Sequence, residues 1–269
     1  MRKIISNLFI YFCIGIICNS IYNGIFNNFF EEKQDNKTEN LATETVMSDL
    51  NWEYSWYDYN NNYHSGDVTI RQNDLNNSIK NKKNKWYSTD NWGSFYYGIY
   101  AYDKHKLDLF YPMLDRIWNN YNLTRKDFLN IIMSFTQGIE YNVPIMGNCN
   151  TEYHHDSDIR ELINQGYPCE SYVTGAIYTP LEFLGNVKGD CDTRTVFLYT
   201  ILKRYNYDVV ILNSDVYGHS ILGVNIPSSG RYKYYNGKRY YTWETTAYGW
   251  RLGQLPPGYS NINYWHVAL

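Results

Sequence analysis

Gly189-Asp190-Cys191-Asp192-Thr193-Arg194 is the most informative segment of the chain, because it places a thiol where a glycine-containing turn enters a helix. Asp190 has the side chain of an N-cap, and Lys203 and Arg204 suit the last turn. The helix between them is predicted from apolar and Thr side chains at helical spacing: Val196, Phe197, Thr200 and Ile201. Unpaired N–H groups and partial positive charge at a helix start lower a thiol pKa from about 8.5. Cys191 is therefore the candidate nucleophile.

The two aspartates that flank Cys191 act in the opposite direction and raise the thiol pKa, so the thiol needs a partner base. His219 is the candidate, in the predicted strand Tyr217–Ile226. A second predicted strand, Arg239–Thr246, carries Glu244. If the two strands pair in register, Glu244 reaches His219. This arrangement suits acyl transfer, in which the thiolate attacks a carbonyl, the imidazole moves the proton and the carboxylate fixes the tautomer.

The chain order of these three segments, Gly-Asp-Cys, Tyr-Gly-His-Ser and Trp-Glu-Thr-Thr-Ala, resembles the transglutaminase-like superfamily of cysteine enzymes. Members usually carry Asp where this chain has Glu244. The helix-ending segment Phe128–Tyr141 is similar to the helix before the catalytic cysteine in bacterial members. The resemblance runs from about Asn122 to the C-terminus. It implies an α+β fold of the papain-like type, with the nucleophile helix packed on an antiparallel sheet.

Each residue also has a structural interpretation that stays open. A buried cysteine is more often an inert small hydrophobe, a strand histidine is usually a satisfied polar residue, and Glu244 suits a solvated strand position. Gln137 is a candidate oxyanion donor, a role worth about 3 kcal/mol. It is equally a polar residue at a helix end that faces water. The backbone N–H of Cys191 is the other oxyanion candidate.

Composition restricts the choice of function. The chain has 269 residues, a formal charge of −3 and a pI near 6.1, so nothing predicts nucleic-acid binding. It has 30 tyrosines, and aromatics form 18% of its residues. That bias suits a surface that holds extended peptide or glycan, or it reflects A/T-rich codons. No metal or organic cofactor is predicted.

Residues 1–30 are predicted to be a signal peptide or membrane anchor, because an apolar run follows Arg2 and Lys3. Residues 31–50 are polar and predict a disordered tether. Residues 51–121 are predicted as an N-terminal region, with short strands and loops to about Tyr100 and a basic loop at 81–85. A helix follows over 106–120, in which Pro112 is expected to cause a kink or to mark the start. The catalytic core is assigned to residues 122–269. Thr124 and Asp127 resemble a capping box for a helix that ends near Gly138, and residues 248–269 are predicted as a final turn and edge strand. The protein is therefore expected to be exported, to a periplasm or cell surface, and anchored if the first segment is retained.

Two further cysteines lie in a long stretch, 142–188, that is expected to be irregular and to form a wall of the cleft. In an exported chain Cys149 and Cys169 can pair as a disulfide, which leaves Cys191 as the free thiol of the mature protein. A metal site made of Cys149, His154 and Cys169 is the less favoured alternative, since the spacing matches no compact zinc knuckle.

The sequence thus predicts a cysteine peptidase or amidase that works through Cys191, His219 and Glu244. Its substrate would be a peptide or protein, with cell-wall peptide among the candidates. Two alternatives remain: an acyl transferase that crosslinks proteins, and a catalytically silent binding or scaffold protein of the same fold.

Overall fold

The computed structural model describes residues 48–86, 88–89, 91–120, 123–150, 152 and 156–269. The predicted signal segment and almost all of the predicted tether lie outside these residues. From Asp49 to Leu269 the chain forms one compact unit. None of the helices in the described ranges is both long enough and apolar enough to cross a membrane.

The described residues form seven α-helices and eleven strands, a mixed fold of helices and mainly antiparallel sheets. The helices are α1 (Gln72–Trp86), α2 (Trp92–Asp103), α3 (Tyr111–Asn120), α4 (Arg125–Gly138), α5 (Ser157–Asn164), α6 (Pro180–Asn186) and α7 (Cys191–Arg204). The strands are β1 (Leu50–Tyr57), β2 (Tyr63–Ile70), β3 (Glu140–Tyr141), β4 (Val143–Pro144), β5 (Cys169–Glu170), β6 (Lys188–Gly189), β7 (Val209–Ser214), β8 (His219–Val224), β9 (Tyr232–Tyr235), β10 (Lys238–Trp243) and β11 (His266–Val267).

Five strands form the main sheet, in the order β11-β7-β8-β10-β9, and every neighbouring pair in it is antiparallel. Side chains alternate between the two faces of a strand. On β8, Leu222 and Val224 join the large core that includes α7. Ile221 faces the other way, into a smaller cluster with Leu255 and Trp265 of the C-terminal segment. The sheet is therefore covered on both faces, with α7 on one of them.

The predicted helix start at Asp190 and the C-terminal edge strand β11 are both confirmed. The helix predicted to end near Gly138 is α4, where Thr124 caps the first turn by accepting a hydrogen bond from the N–H of Asp127 at 3.2 Å. The helix predicted from Lys106 begins at Tyr111 instead. Pro112 marks its start, because proline suits the first turn of a helix and disrupts the interior.

The prediction of strands and loops across the N-terminal region is wrong for its second half, where α1 and α2 lie. The supposed basic loop at 81–85 is the last part of α1. The buried face of α1 is formed by Leu75, Ser78 and Lys82, at helical spacing. Two of those positions are polar, so the hydrophobic period that identifies a helix is hidden in the sequence.

The stretch predicted to be irregular, 142–188, contains two helices, α5 and α6. Helix α6 begins with a capping box: the Thr179 hydroxyl accepts from the N–H of Glu182, and the Glu182 carboxylate accepts from the N–H of Thr179. Thr179-Pro180-Leu181-Glu182 is thus a helix start with proline in the first turn, a signal that was present in the sequence.

A buried ion pair joins α1 to α6. The Lys82 ammonium lies 2.8 Å from the Glu182 carboxylate and donates to the carbonyl of Ile177 at 2.8 Å. Beside it, Ser78 donates to the Asp103 carboxylate at 2.6 Å. Burial raises the pKa of Asp103 to about 6. Buried charges persist only where partners satisfy them, so this network fixes α1, α2 and α6 relative to one another.

Replacing Lys82 with Met leaves the Glu182 carboxylate buried without its cation. We expect the free energy of unfolding to fall by about 3–5 kcal/mol. The double variant Lys82→Met/Glu182→Gln removes both charges and keeps an acceptor for the Thr179 N–H, so its loss should be smaller. Urea unfolding followed by tryptophan fluorescence measures both. The exposed Lys80→Met on the same helix is the control, with an expected change within about 0.5 kcal/mol. Equal losses for the single and double variants would contradict a stabilising ion pair.

Candidate active site

Cys191 is the first residue of α7, and its side chain is 7% exposed. Asp190 caps the helix, since its carboxylate accepts from the N–H of Thr193 at 3.0 Å. Gly189 precedes the cap in a place where a side chain does not fit: an added Cβ would lie 2.6 Å from Thr193 Cγ2 and 2.9 Å from Phe183 Cδ2. The glycine therefore serves close packing at the entry to α7, and this packing fixes the position of the thiol.

His219 and Glu244 are in contact, with Nε2 of the histidine 2.8 Å from Oε2 of the glutamate. The register of β8 and β10 explains this contact. Thr242 lies opposite Gly223 and Trp243 opposite Leu222, so Glu244, just past the end of β10, continues toward the start of β8. Diagonal side chains on one face of antiparallel strands are within reach of each other.

The second oxygen of Glu244 also has partners, because Oε1 accepts from the N–H of Thr246 at 2.8 Å and from its hydroxyl at 2.6 Å. The carboxylate is thus held at both oxygens. With Nε2 of His219 used by Glu244, Nδ1 is the nitrogen left for proton exchange with a thiol.

Helix α7, which begins with Cys191, packs against β8, which begins with His219. Among the hydrogen bonds of the described residues, none joins the thiol to the His219 imidazole. Hydrogen bonds between a nucleophile and its base are often long before substrate binds. The Cys191 thiol and the His219 imidazole therefore lie on adjoining elements, α7 and β8.

The charge environment of the thiol is unfavourable to a thiolate. Burial, followed by the carboxylates of Asp192 and Asp190, raises the pKa of Cys191 well above its ordinary value. The expected lowering by the helix start is outweighed, because two acidic neighbours and loss of water both disfavour a second negative charge. The free protein thus favours Cys191 as a neutral thiol.

The pKa values of His219 and Glu244 are shifted in opposite directions by their contact. Burial alone would lower the pKa of His219, but the charge and hydrogen bond of Glu244, helped by Asp192 and Asp190, leave that pKa raised above 6.5. Burial would raise the pKa of Glu244, yet His219 and Thr246 bring it down to about 2. Glu244 therefore stays ionised and stabilises the imidazolium that forms when His219 accepts a proton.

Gln137 lies near this pair in a different role from the one predicted. Its amide donates to the carbonyl of Glu244 at 2.7 Å and to that of Trp250 at 3.1 Å. Its oxygen accepts from the Tyr59 hydroxyl at 2.7 Å and from the N–H of Gly249 at 3.2 Å. Both N–H groups are occupied, so neither is left for an oxyanion. The side chain is also buried, not facing water, and it fixes the loop that follows β10.

Two residues that the sequence analysis did not single out hold the site together. Arg194 is wholly buried and donates to the carbonyls of Gly189, Thr136 and Ile139 at 3.0, 2.5 and 2.6 Å. A charged residue on an otherwise apolar helix face was the available signal. Tyr96 donates to the Asp192 carboxylate at 2.6 Å. The two residues are 96 positions apart in the sequence, so no local pattern predicts this contact.

Aromatic rings cover the histidine. Tyr259 lies with its ring centroid 5.2 Å from that of His219, and Trp265 lies 6.0 Å from it. Tyr259 also contacts Tyr217, at 5.1 Å between centroids. All of these rings belong to the face of the sheet that the C-terminal segment covers. The His219 side chain is thus largely covered, with 12% of its surface exposed.

The other cysteines of the described part form a disulfide, Cys149–Cys169, with Cα atoms 6.0 Å apart. Cys191 is the free thiol of that part of the chain. His154, the third member of the alternative metal site, lies outside the described residues. Among described residues one group of three could hold a metal ion, Asp190, Cys191 and Asp192, with ligand atoms within 4.8 Å of one another. Thr193 and Tyr96 already use these two carboxylates, so we assign no metal there, and the absence of a cofactor stays a prediction.

Comparison of the chain with protein-family models, with curated proteins and with solved structures gives no match. The geometry of the site and the chemistry of its residues are therefore the basis for assigning a function.

The His219–Glu244 pair predicts a pH window. Because the pKa of Glu244 is lowered from 4.5 to about 2, its contribution to stability is present above pH 4.5 and is lost as the pH falls toward 2. Because the pKa of His219 is raised above 6.5, its contribution is present below pH 6.5 and is lost as the pH rises through the folded-state pKa. The pair should therefore stabilise the fold most between pH 4.5 and 6.5.

Glu244→Gln tests this window. We expect the His219 pKa, followed by NMR of the imidazole protons, to fall in the variant, since the negative charge that raises it is gone. The loss in free energy of unfolding should be largest inside the window. Glu140→Gln, at an exposed glutamate, is the matched control. A His219 pKa that is equal in Glu244→Gln and wild type would show that the carboxylate does not act on the imidazole.

Proposed function

We propose that this chain is a cysteine hydrolase of the peptidase or amidase type, with Cys191 as nucleophile, His219 as general base and Glu244 as the carboxylate that orients the imidazole. The observation that carries the proposal is the 2.8 Å contact between His219 Nε2 and Glu244 Oε2 beside a free cysteine at a helix start. A nucleophile, a base and a third group that orients the base form the recurrent set for acyl transfer. A nucleophile helix packed on an antiparallel sheet also supports the papain-like arrangement that the family resemblance implies.

In the proposed reaction, Nδ1 of His219 takes the thiol proton as the Cys191 sulfur attacks the substrate carbonyl. The leaving amine receives that proton, and a thioester remains on Cys191. Water, activated by the same imidazole, then releases the acid and restores the thiol. Because the resting thiol is neutral, the reaction requires neutral His219, and the rate should rise with pH through the raised pKa of that residue.

The substrate class proposed is a peptide or protein outside the cytoplasm, with cell-wall peptide among the candidates. The Cys149–Cys169 disulfide supports export, since disulfides persist mainly in oxidising compartments. The N-terminal segment would supply a membrane attachment if it is retained.

A small activated ester tests the proposal without knowledge of the substrate. With p-nitrophenyl acetate, we expect wild-type protein to release p-nitrophenolate and to carry a transient acetyl group on Cys191, detected by mass spectrometry. His219→Ala should slow acetylation by about 10²–10⁴-fold, because general-base assistance is lost. Cys191→Ala should abolish it. The control is His266→Ala, an exposed histidine on β11, which should react like wild type.

A second candidate function is a catalytically silent binding protein, and one observation favours it: the thiol is 7% exposed, with a strongly raised pKa. Equal acetylation rates in wild type and His219→Ala, rising only at alkaline pH, would support that reading and reject the hydrolase. If an added alkylamine captures the acetyl group faster than water does, the chain is an acyl transferase.

A further inference from the structure

A groove lies along the free edge of the main sheet, remote in sequence from Cys191. Strand β9 is the last strand of the sheet and has a neighbour, β10, on one side only. Residues 230–234 line one side of the groove, and Ile262 and Asn263 line the other, around a volume of about 510 Å³. We call this the β9 groove.

The unpaired edge of β9 can be assigned residue by residue. In antiparallel pairs, residues alternate between those bonded to the partner strand and those whose N–H and C=O point away. The N–H of Thr242 donates to the carbonyl of Arg231 at 3.0 Å, which places Arg231 among the bonded residues. By alternation Lys233 is bonded to β10 as well. The backbone groups of Tyr232 and Tyr234 therefore point outward, toward a chain that would add to the sheet.

The groove is positively charged. Arg231 is exposed, and the Lys233 ammonium has only a long contact with the carbonyl of Ile262, at 3.5 Å. Within the described ranges neither cation lies within ion-pair distance of a carboxylate. A second copy of β9 would bring like charges together, which destabilises cross-strand pairing. A strand that carries carboxylates would neutralise them.

The β9 groove lies on the same face of the sheet as the His219–Glu244 pair. The N–H of Thr242 donates to the carbonyl of Arg231, so these two residues lie opposite each other and their side chains share a face. Glu244 follows Thr242 by two residues, so its side chain lies on that face as well. β9 is separated from β8 by one strand, which is about 10 Å. A strand added outside β9 would lie three strand spacings, about 14 Å, from β8.

We propose that the β9 groove binds an extended, acidic peptide segment, which adds to the sheet as a strand next to β9 and places its carboxylates against Arg231 and Lys233. The exposed ring of Tyr234, on the opposite face, would cover the apolar side chains of the same segment. Backbone pairing supplies affinity and the two cations supply the preference for acid. This binding does not depend on catalysis by Cys191.

The test uses the full-length chain with Cys191→Ala, so that turnover cannot affect the result. The probe is a fluorescein-labelled peptide of alternating Glu and Val, which in a strand presents all carboxylates on one face. We expect saturable binding by fluorescence anisotropy, weakened by salt. The matching Lys-Val peptide should not bind. The double variant Arg231→Ser/Lys233→Ser should bind the Glu-Val peptide about tenfold more weakly, and the control Lys80→Ser/Lys126→Ser should bind it like the parent.

Backbone pairing has its own test. Two versions of the Glu-Val peptide carry N-methyl groups, one at every Val amide and one at every Glu amide. Only one set of amides faces β9, so one version should lose binding and the other keep it. Equal binding by both versions, or by the Glu and Lys peptides, would overturn the proposal. Self-association that Arg231→Ser/Lys233→Ser changes, seen by sedimentation, would assign the edge to a second copy instead. Each outcome is independent of the acetylation test at Cys191.

Discussion

The buried guanidinium of Arg194 is the constraint on which the candidate site depends. A charge removed from water is tolerated only where polar groups replace the hydration shell. Here three backbone carbonyls do so, one just before α7 and two at the end of α4. Burial lowers the pKa of Arg194 to about 10, so the charge is retained at neutral pH. Since these carbonyls must converge on one planar group, the end of α4 and the start of α7 cannot move independently.

The end of α4 also reaches the other half of the site. Gln137, one residue after Thr136 in the chain, fixes the backbone of Glu244 and the loop behind it. A single helix end therefore positions the thiol through Arg194 and the carboxylate through Gln137. This explains why a glutamine is buried at a place where a catalytic donor was expected: its hydrogen bonds hold the acid, and through the acid they orient the imidazole.

The acidic groups around the site affect the thiol and the imidazole differently. Burial, followed by the acidic groups of Asp192, Asp190 and Glu244, raises the pKa of the thiol. Burial lowers the pKa of the imidazole, but the same three acidic groups outweigh it and leave that pKa raised. Such an environment opposes a resting thiolate and favours a histidine that readily accepts a proton. The acidic groups thus disfavour the Cys191 thiolate and favour protonation of His219. In the proposed hydrolase this makes proton transfer to His219 and nucleophilic attack a single event.

Local signals in the sequence were sufficient for the elements that carry the candidate residues. The N-cap at Asp190, the cap at Thr124 and the alternating strand that holds His219 each depend on nearest neighbours, and the structure has an element at each place. Helix α1 was not predicted, because the polar residues Ser78 and Lys82 lie on its buried face. Their burial is tolerated because they bind Asp103 and Glu182, which are distant in sequence. A hydrophobic pattern cannot report a polar residue that is satisfied by tertiary contacts.

Capping and side-chain alternation are local, so the helix start at Cys191 and the strand that carries His219 could be recognised from neighbouring residues alone. How these residues contact one another depends on the folded chain. The register of β8 and β10 set the 2.8 Å contact of His219 with Glu244, and burial beside two aspartates set the protonation of Cys191. Strand register and desolvation depend on contacts between segments distant in sequence, which local patterns do not encode.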